Sequence, residues 1–213
     1  MIPGPDQILA CPSCGKPLRR ETLTSGNTFG AILWSDGKRE APMLPDFPAV
    51  SRCGHCHSIF WVEDAASLGE DDRFGEEQPE KQPETWARAL DIDFLDADGY
   101  VEAIDMNSEP KRIHFLRIML WHTLNDPYRN DKVVSQGSQS DLFVRNLEAL
   151  IQLLDETNPG ERIMKAEALR EIGRHEDAIQ LLMDVDHELE WATKQICAQA
   201  QAGSTAVFAL SRS

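Results

Sequence analysis

Two short cysteine motifs, Cys11-Pro12-Ser13-Cys14 and Cys53-Gly54-His55-Cys56, decide how the N-terminal part of this 213-residue chain folds. Each motif is C-x-x-C, and 38 residues separate the two. A C-x-x-C turn forms a knuckle that directs two sulfurs at one ion, and Gly15 and Gly54 are expected to give these turns their backbone freedom. Two knuckles together supply four ligands. The spacing therefore predicts a metal site formed by Cys11, Cys14, Cys53 and Cys56.

The chemistry of four thiolates favours zinc as the ion in this site. Zinc with four cysteine ligands has no open coordination position, so it would act as a structural cross-link and not as a catalyst. Iron suits the same ligands and would make the protein an electron carrier. We expect structural zinc, with iron as the alternative.

The second motif allows two further interpretations. Followed by His57, it reads C-x-x-C-H, the attachment pattern of c-type haem. Haem attachment needs export, residues 1–30 carry no basic segment followed by an apolar one, and the first motif would be left without a role. A redox dithiol is expected in a βαβ context, whereas the flanks of both motifs suggest short strands and turns.

The remaining thiol and imidazole groups are weaker candidates. His55 and His57 are expected beside the metal, because four cysteines already complete its coordination shell. Cys197 lies in an apolar helical pattern and is expected to be a buried, inert thiol. His114 and His122 are eight residues apart on one apolar helix, without the i,i+4 spacing of a helical zinc motif.

An acidic stretch, 91–105, resembles half of a calcium-binding loop. With Gly99 at the glycine position of such a loop, Asp96, Asp98 and Asp105 become candidate cation ligands. The first ligand position then falls on Phe94, which cannot bind a cation. A cap for a helix that begins near Gly99 is the favoured role for Asp96 or Asp98.

The charge distribution argues against a nucleic-acid partner. The net charge is −15, and residues 63–98 carry thirteen acidic residues against three basic ones. Such a surface repels phosphate backbones.

No run approaches 18 apolar residues, so no membrane span is expected. Because a metal site explains the cysteines better than disulfides do, we expect the reducing environment of the cytoplasm. The segment 66–98 is acidic and is interrupted by glycine and proline, so we predict that it is a linker.

The segments on either side of that linker differ in their hydrophobic pattern. In residues 1–65, the stretch 22–34 suits a hairpin closed by a turn at 35–38, and three prolines make 41–48 an extended arm. In residues 99–213, apolar residues recur at helical spacing. The predicted helical segments are 111–124, 141–155, 161–172, 175–185 and 188–202, after a helix near Gly99. No catalytic constellation is recognisable, so we expect a non-enzymatic protein.

Both halves resemble known families. Residues 8–62 are similar to zinc ribbons with rubredoxin-like knuckles, although the gap between the knuckles is longer than usual. Residues 166–182 resemble one tetratricopeptide repeat, with Ala166, Leu169, Gly173, Ala178 and Leu182 at matching positions, but Arg162 replaces the repeat's aromatic residue. The layout is similar to uncharacterised bacterial proteins that join a zinc ribbon to repeat-like helices. The resemblance implies an α+β protein, with a β zinc ribbon before a tetratricopeptide-like helical domain that binds a protein or peptide.

Overall fold

A computed structural model describes residues 1–72, 83–131, 140–183 and 189–211 of the chain. These residues form two compact units, the first from residues 1–31 and 41–99 and the second from residues 32–40 and 100–213. Short strands dominate the first unit and helices the second, so the predicted α+β class is confirmed. Within the described ranges, no helix is long and apolar enough to cross a membrane.

The strands are short and the helices are of ordinary length. The strands are β1 (Ile2–Pro3), β2 (Asp6–Ala10), β3 (Pro17–Arg20), β4 (Leu23–Ser25), β5 (Ile32–Trp34), β6 (Arg39–Glu40), β7 (Val50–Arg52), β8 (Ile59–Trp61), β9 (Ala66–Asp71), β10 (Leu90–Asp91) and β11 (Ala209–Leu210). The helices are α1 (Ala97–Met106), α2 (Pro110–Asn125), α3 (Asp141–Ile151), α4 (Pro159–Glu171), α5 (His175–Leu182) and α6 (Glu190–Gln201).

The first unit is built around a four-stranded sheet in the order β10-β3-β2-β9. The β10–β3 pair is parallel and the other pairs are antiparallel. Ile8 and Leu9 are neighbours in β2 and both are buried, so this central strand is covered on both faces. Two separate antiparallel pairs, β1 with β4 and β7 with β8, complete the unit.

The acidic segment 66–98, predicted to be a linker, supplies strands β9 and β10 to this sheet. Its composition could not reveal this, because strand pairing uses backbone groups and an arginine outside the segment offsets one of its acids. Arg19, in β3, forms ion pairs with Asp6 and Asp71, both at 3.2 Å. The middle of the segment, 73–82, lies outside the described residues, and the domain boundaries at 65 and 98 stay predictions.

The stretch 22–34 does not form one hairpin, contrary to the prediction. Strand β4 pairs with β1, and β5 pairs with β6 and with β11. The turn at 35–38 does form, and it joins β5 to β6 in a hairpin that belongs to the second unit. The arm 41–48 is neither strand nor helix, as its prolines predict.

The predicted helical segments are helical in the second unit, where α2 and α4 are slightly longer than predicted and α3, α5 and α6 are shorter. Their starts have local causes: Ser140 caps α3 by accepting a hydrogen bond from the Phe143 amide, and Asn158 caps α4 just before Pro159. Positions 184, 185 and 188, the ends of two predicted segments, lie outside the described residues. The helices enclose a core whose fully buried members include Trp121, Leu147, Leu150 and Ile196.

Helices α4 and α5 pack against one another. Ala166, Ala168 and Ala178 are fully buried in the core that the helices enclose. Gly173 ends α4 at a φ of 82°, and the Arg174 amide donates to the Leu169 carbonyl at 2.8 Å. This is the bond of a glycine-terminated helix, and it turns the chain into α5. The predicted pair of packed helices is therefore present at 159–182.

The tip of the β5–β6 hairpin carries a fully buried carboxylate, Asp36. Arg129 donates to its two oxygens at 3.2 and 2.5 Å. Asn125 donates to Asp36 at 3.0 Å and to Glu171, near the end of α4, also at 3.0 Å. We call Asp36, Asn125, Arg129 and Glu171 the buried clasp, because they fasten the hairpin to the helices of the second unit.

Three buried carboxyl groups and two buried guanidinium groups lie in the clasp or directly beside it. Arg170 binds Glu167 through two hydrogen bonds, at 2.7 and 2.5 Å, and lies 3.8 Å from Glu171. Glu171 also accepts a hydrogen bond from the Trp121 indole at 2.7 Å. Burial, with the nearby charges of Glu167 and Asp36, raises the pKa of Glu171 well above its ordinary value.

The raised pKa of Glu171 gives a testable pH dependence. The folded protein binds a proton at Glu171 that the unfolded chain releases, so this group's contribution to stability falls as the pH rises above about 4.5. Glu171→Gln should therefore raise the free energy of unfolding by about 1 kcal/mol or more at pH near 8, and change it little at pH near 4. Urea unfolding followed by circular dichroism across this range measures the effect.

The matched control is Glu167→Gln, one helical turn away on α4. It removes the partner of a buried arginine, so we expect it to lower the free energy of unfolding by about 3–5 kcal/mol near neutral pH. Equal losses of stability in both variants near pH 8 would contradict the assignment of a retained proton to Glu171.

Candidate metal centre

The first knuckle joins β2 to β3. Cys11 directly follows β2, and its amide donates to the Lys16 carbonyl at 3.0 Å. The Gly15 amide returns to the Cys11 carbonyl at 2.8 Å. These two bonds fold the motif into a tight turn that places Cys11 and Cys14 on one side.

The second knuckle, between β7 and β8, repeats this pattern. The Cys53 amide donates to the Ser58 carbonyl at 2.9 Å, and the His57 amide donates to the Cys53 carbonyl at 2.8 Å. The two motifs thus have the same hydrogen-bonded turn, although they lie in different sheets. The local sequence is sufficient for each turn, because every bond is made within six residues.

Both turns need a left-handed residue at the fourth position after the first cysteine. In the first knuckle this is Gly15, with a φ of 69°, as the sequence predicted. In the second it is His57, with a φ of 63°, and not Gly54 as expected. At Gly54 a Cβ would lie 2.7 Å from Leu90 Cδ1, so a larger residue there would make the exposed Leu90 side chain shift.

The two knuckles bring all four sulfurs together. Cys11 Sγ lies 3.8 Å from Cys56 Sγ, Cys14 Sγ lies 3.9 Å from Cys53 Sγ, and the four sulfurs are within 4.8 Å of one another. A tetrahedral ion with metal–sulfur bonds of about 2.3 Å requires sulfurs about 3.8 Å apart. The four cysteines can therefore hold one metal ion.

Each knuckle contributes one buried and one exposed sulfur. Cys11 and Cys53 are buried, whereas Cys14 and Cys56 are exposed. The buried pair belongs to the core of the first unit, whose other members are Leu9, Leu18, Phe60, Val62 and Ile92. The site therefore spans the edge of this small core.

The environment separates the acidities of the two cysteines of the second knuckle. Burial raises the pKa of Cys53 to about 12. The Ser58 hydroxyl, 3.0 Å from Cys56 Sγ, lowers the pKa of Cys56 to about 6. A bound cation stabilises the thiolate form of every ligand, so binding would release protons and weaken as the pH falls. Ser58 is a contributor that the motif itself did not indicate.

The imidazole groups lie beside the sulfurs and are not among them. His55 Nε2 lies 3.3 Å from the Pro17 carbonyl, and the His55 amide donates to Cys53 Sγ at 3.4 Å. His57 is exposed. Because all four cysteines converge, the arrangement favours a shared ion over haem attachment, which would use the second motif alone. The antiparallel hairpins around both motifs also differ from the βαβ context of a redox dithiol.

The other candidate residues are not drawn into this site. Asp96 caps α1 by accepting a hydrogen bond from the Gly99 amide at 2.8 Å. Asp96, Asp98 and Asp105 form no metal-binding group; in the described part of the chain the four cysteines form the single group of three or more possible ligands. His122 Nε2 lies 3.1 Å from the Asp36 carbonyl. Cys197 packs against the helical core, where burial raises its pKa.

The shared left-handed position yields a pair of opposite predictions. Gly15→Ala should lower the free energy of unfolding of the first unit by about 1 kcal/mol, because no atom lies within 4 Å of the added methyl group and only the backbone resists it. His57→Gly should raise that free energy by up to about 1 kcal/mol, because it relieves the same strain. Urea unfolding of both variants tests this, and a loss of stability in His57→Gly would contradict it.

Comparisons with protein-family models, with curated proteins and with solved structures found no match for this chain. The metal-binding assignment therefore rests on the geometry of the four cysteines.

Proposed function

We propose that Cys11, Cys14, Cys53 and Cys56 hold a structural zinc ion, and that the protein is a non-enzymatic adaptor that binds another protein or peptide. The observation that carries the proposal is the convergence of four sulfurs at spacings of 3.8 and 3.9 Å, which suit a tetrahedral ion. With four thiolate ligands, the ion has no free position for a substrate.

The architecture of the first unit supports a cross-linking role for the ion. The β2–β3 hairpin belongs to one sheet and the β7–β8 hairpin to another, and β7–β8 is an isolated pair of three-residue strands. An isolated two-stranded hairpin is marginally stable in water. An ion held by both knuckles would join the two sheets, and its binding free energy would add to the folding free energy of the unit.

The helical unit supports the adaptor role. Helices α4 and α5 pack against one another and contribute the fully buried Ala166, Ala168 and Ala178 to the core, which suits a pair of helices of the tetratricopeptide-like kind. Such stacks usually bind peptides or proteins, and we extend that role to this unit. The net charge of −15 favours a partner other than nucleic acid.

An electron carrier with iron at the same cysteines is the second candidate. The exposure of Cys14 and Cys56 favours it, because sulfurs at the surface would shorten the path for an electron. Zinc remains the first choice, because four-cysteine sites that join elements of a small fold are typical of structural zinc. Iron would give a coloured protein, whereas zinc has no visible absorption.

Elemental analysis with a visible absorption spectrum of the purified protein tests the metal. We expect one zinc per chain and no colour, and loss of at least nine-tenths of the zinc in Cys11→Ser and in Cys53→Ser. The matched control is Cys197→Ser, which should keep all of it, because Cys197 lies in the other unit. Iron with a coloured thiolate band would establish the second candidate, and equal zinc in all variants would remove both.

A binding screen with the full chain tests the adaptor role. Serine substitutions at the exposed Met106, Leu153 and Met183 of the second unit should weaken a partner's binding about tenfold or more. Phe29→Ser, at a more exposed apolar residue of the first unit, is the control and should leave binding unchanged. If partners bind all these variants with equal affinity, and if changes in the arm 41–48 also leave their affinity unchanged, the adaptor role would be contradicted.

A further inference from the structure

The position of the β5–β6 hairpin in the chain links it to the metal centre. The hairpin, residues 32–40, lies between the two knuckles in the sequence but belongs to the second unit. Residues 31 and 41, on either side of it, belong to the first unit. An ion bound to Cys14 and Cys53 closes the 38 intervening residues into a loop, and the hairpin is part of that loop.

The hairpin is attached to the second unit at its tip. Asp36 is fully buried and binds Arg129 through two hydrogen bonds and Asn125 through one. Lys38 Nζ lies 2.5 Å from Asp126 Oδ1. These polar contacts are directional, so they fix the tip in one position.

The body of the hairpin is held by backbone hydrogen bonds and by a contact between an aromatic ring and a guanidinium group. The Ser35 amide donates to the Phe208 carbonyl at 2.8 Å, and β5 pairs with β11 near the C-terminus. The Arg129 guanidinium lies 5.0 Å from the centroid of the Trp34 ring. Docking this hairpin thus joins a segment from between the cysteines to two separate parts of the second unit, residues 125–129 and residues 208–210.

We propose that the metal centre and the buried clasp are thermodynamically coupled, so that metal binding favours the docked hairpin and the docked hairpin raises the metal affinity. This inference rests on the proposed metal binding. A free loop must give up conformational entropy before its hairpin can dock, and an ion that already joins the loop's ends has removed part of that cost. The coupling runs through the covalent chain, and linkage makes it equal in both directions.

The coupling would make the helical unit responsive to the metal. Loss of the ion removes the connection between the two knuckles, although β3 and β7 keep their strand partners, so the hairpin leaves its place more readily and exposes the polar groups of the clasp. The adaptor would then have a metal-dependent state, although the ion itself is bound in the other unit.

Zinc affinity of the full-length protein, measured by competition with a chelating dye, tests the coupling. Asp36→Asn should lower the zinc affinity by about fivefold or more, and Lys38→Ala, which removes one outer contact, by a smaller factor. The matched control is Asp177→Asn, the same chemical change in an exposed ion pair of α5, and it should leave the affinity unchanged.

Removal of zinc should also lower the temperature at which the helices melt in the wild type, and lower it less in Asp36→Asn. Circular dichroism reports that melting directly. If Asp36→Asn prevents the helical unit from folding, the hairpin is released as well, so the zinc affinity should still fall. Lys38→Ala then provides the test in a folded protein.

The outcomes separate the two proposals. Wild-type affinity in both Asp36→Asn and Lys38→Ala, with one zinc still bound to the four cysteines, would overturn the coupling and leave the metal site intact. Failure of the wild type to bind zinc through its cysteines would overturn both. An equal fall of affinity in Asp177→Asn would show a general charge effect and would also overturn the coupling.

Discussion

The convergence of four sulfurs from two distant turns is the constraint on which the first unit depends. Cys11 and Cys53 are buried in its core, and all four sulfurs lie within 4.8 Å of one another. Four thiolates this close repel one another, so they must either hold protons or share a cation. Burial, together with the hydrogen bonds of Cys11 and Cys56, raises the pKa of Cys53 to about 12 and so opposes its thiolate form. A divalent cation removes both the repulsion and the need for protons.

The equivalence of the two knuckles follows from local chemistry, whereas their meeting does not. Each turn uses the same pair of backbone hydrogen bonds and the same left-handed residue, Gly15 or His57. The knuckles lie in different sheets, and in the described residues a shared apolar core and the contact of His55 with the Pro17 carbonyl hold them together. An ion would add a direct bond between the two, which is why we propose a structural role for it.

The sequence was informative where the determining interactions are local. The C-x-x-C spacing located the four sulfurs, apolar periodicity located the helices, and Asp96 or Asp98 was predicted to cap a helix, as Asp96 does. The sequence failed where distant residues decide the outcome. Asp36 stands in a Ser-Asp-Gly-Lys turn that is typical of a surface, and its burial is explained by Arg129 and Asn125, which are 93 and 89 positions away.

The same limit applies to the strand β9 and to the second knuckle. The acidic composition of 66–71 indicated a connector, because nothing local shows that Arg19 will neutralise Asp71. The left-handed position of the second knuckle falls on a histidine, and a search for glycine therefore chose Gly54. The hydrogen bonds of the turn impose the backbone conformation at such sites. The residue type determines only the free-energy cost of adopting that conformation.

The buried clasp explains why the hairpin between the cysteines belongs to the helical unit. An apolar tip could also be buried there, and removing charges from water is costly, so the ion pair of Asp36 and Arg129 is not the most stabilising choice. Its advantage is direction: the carboxylate is satisfied only where both Arg129 and Asn125 can donate to it. An apolar tip could slide or rotate, whereas this one docks in a single register. A hairpin docked in a single register would keep the ends of the loop between the cysteines at a fixed separation. In our proposal, this fixed separation is what couples the docking of the hairpin to the binding of the metal.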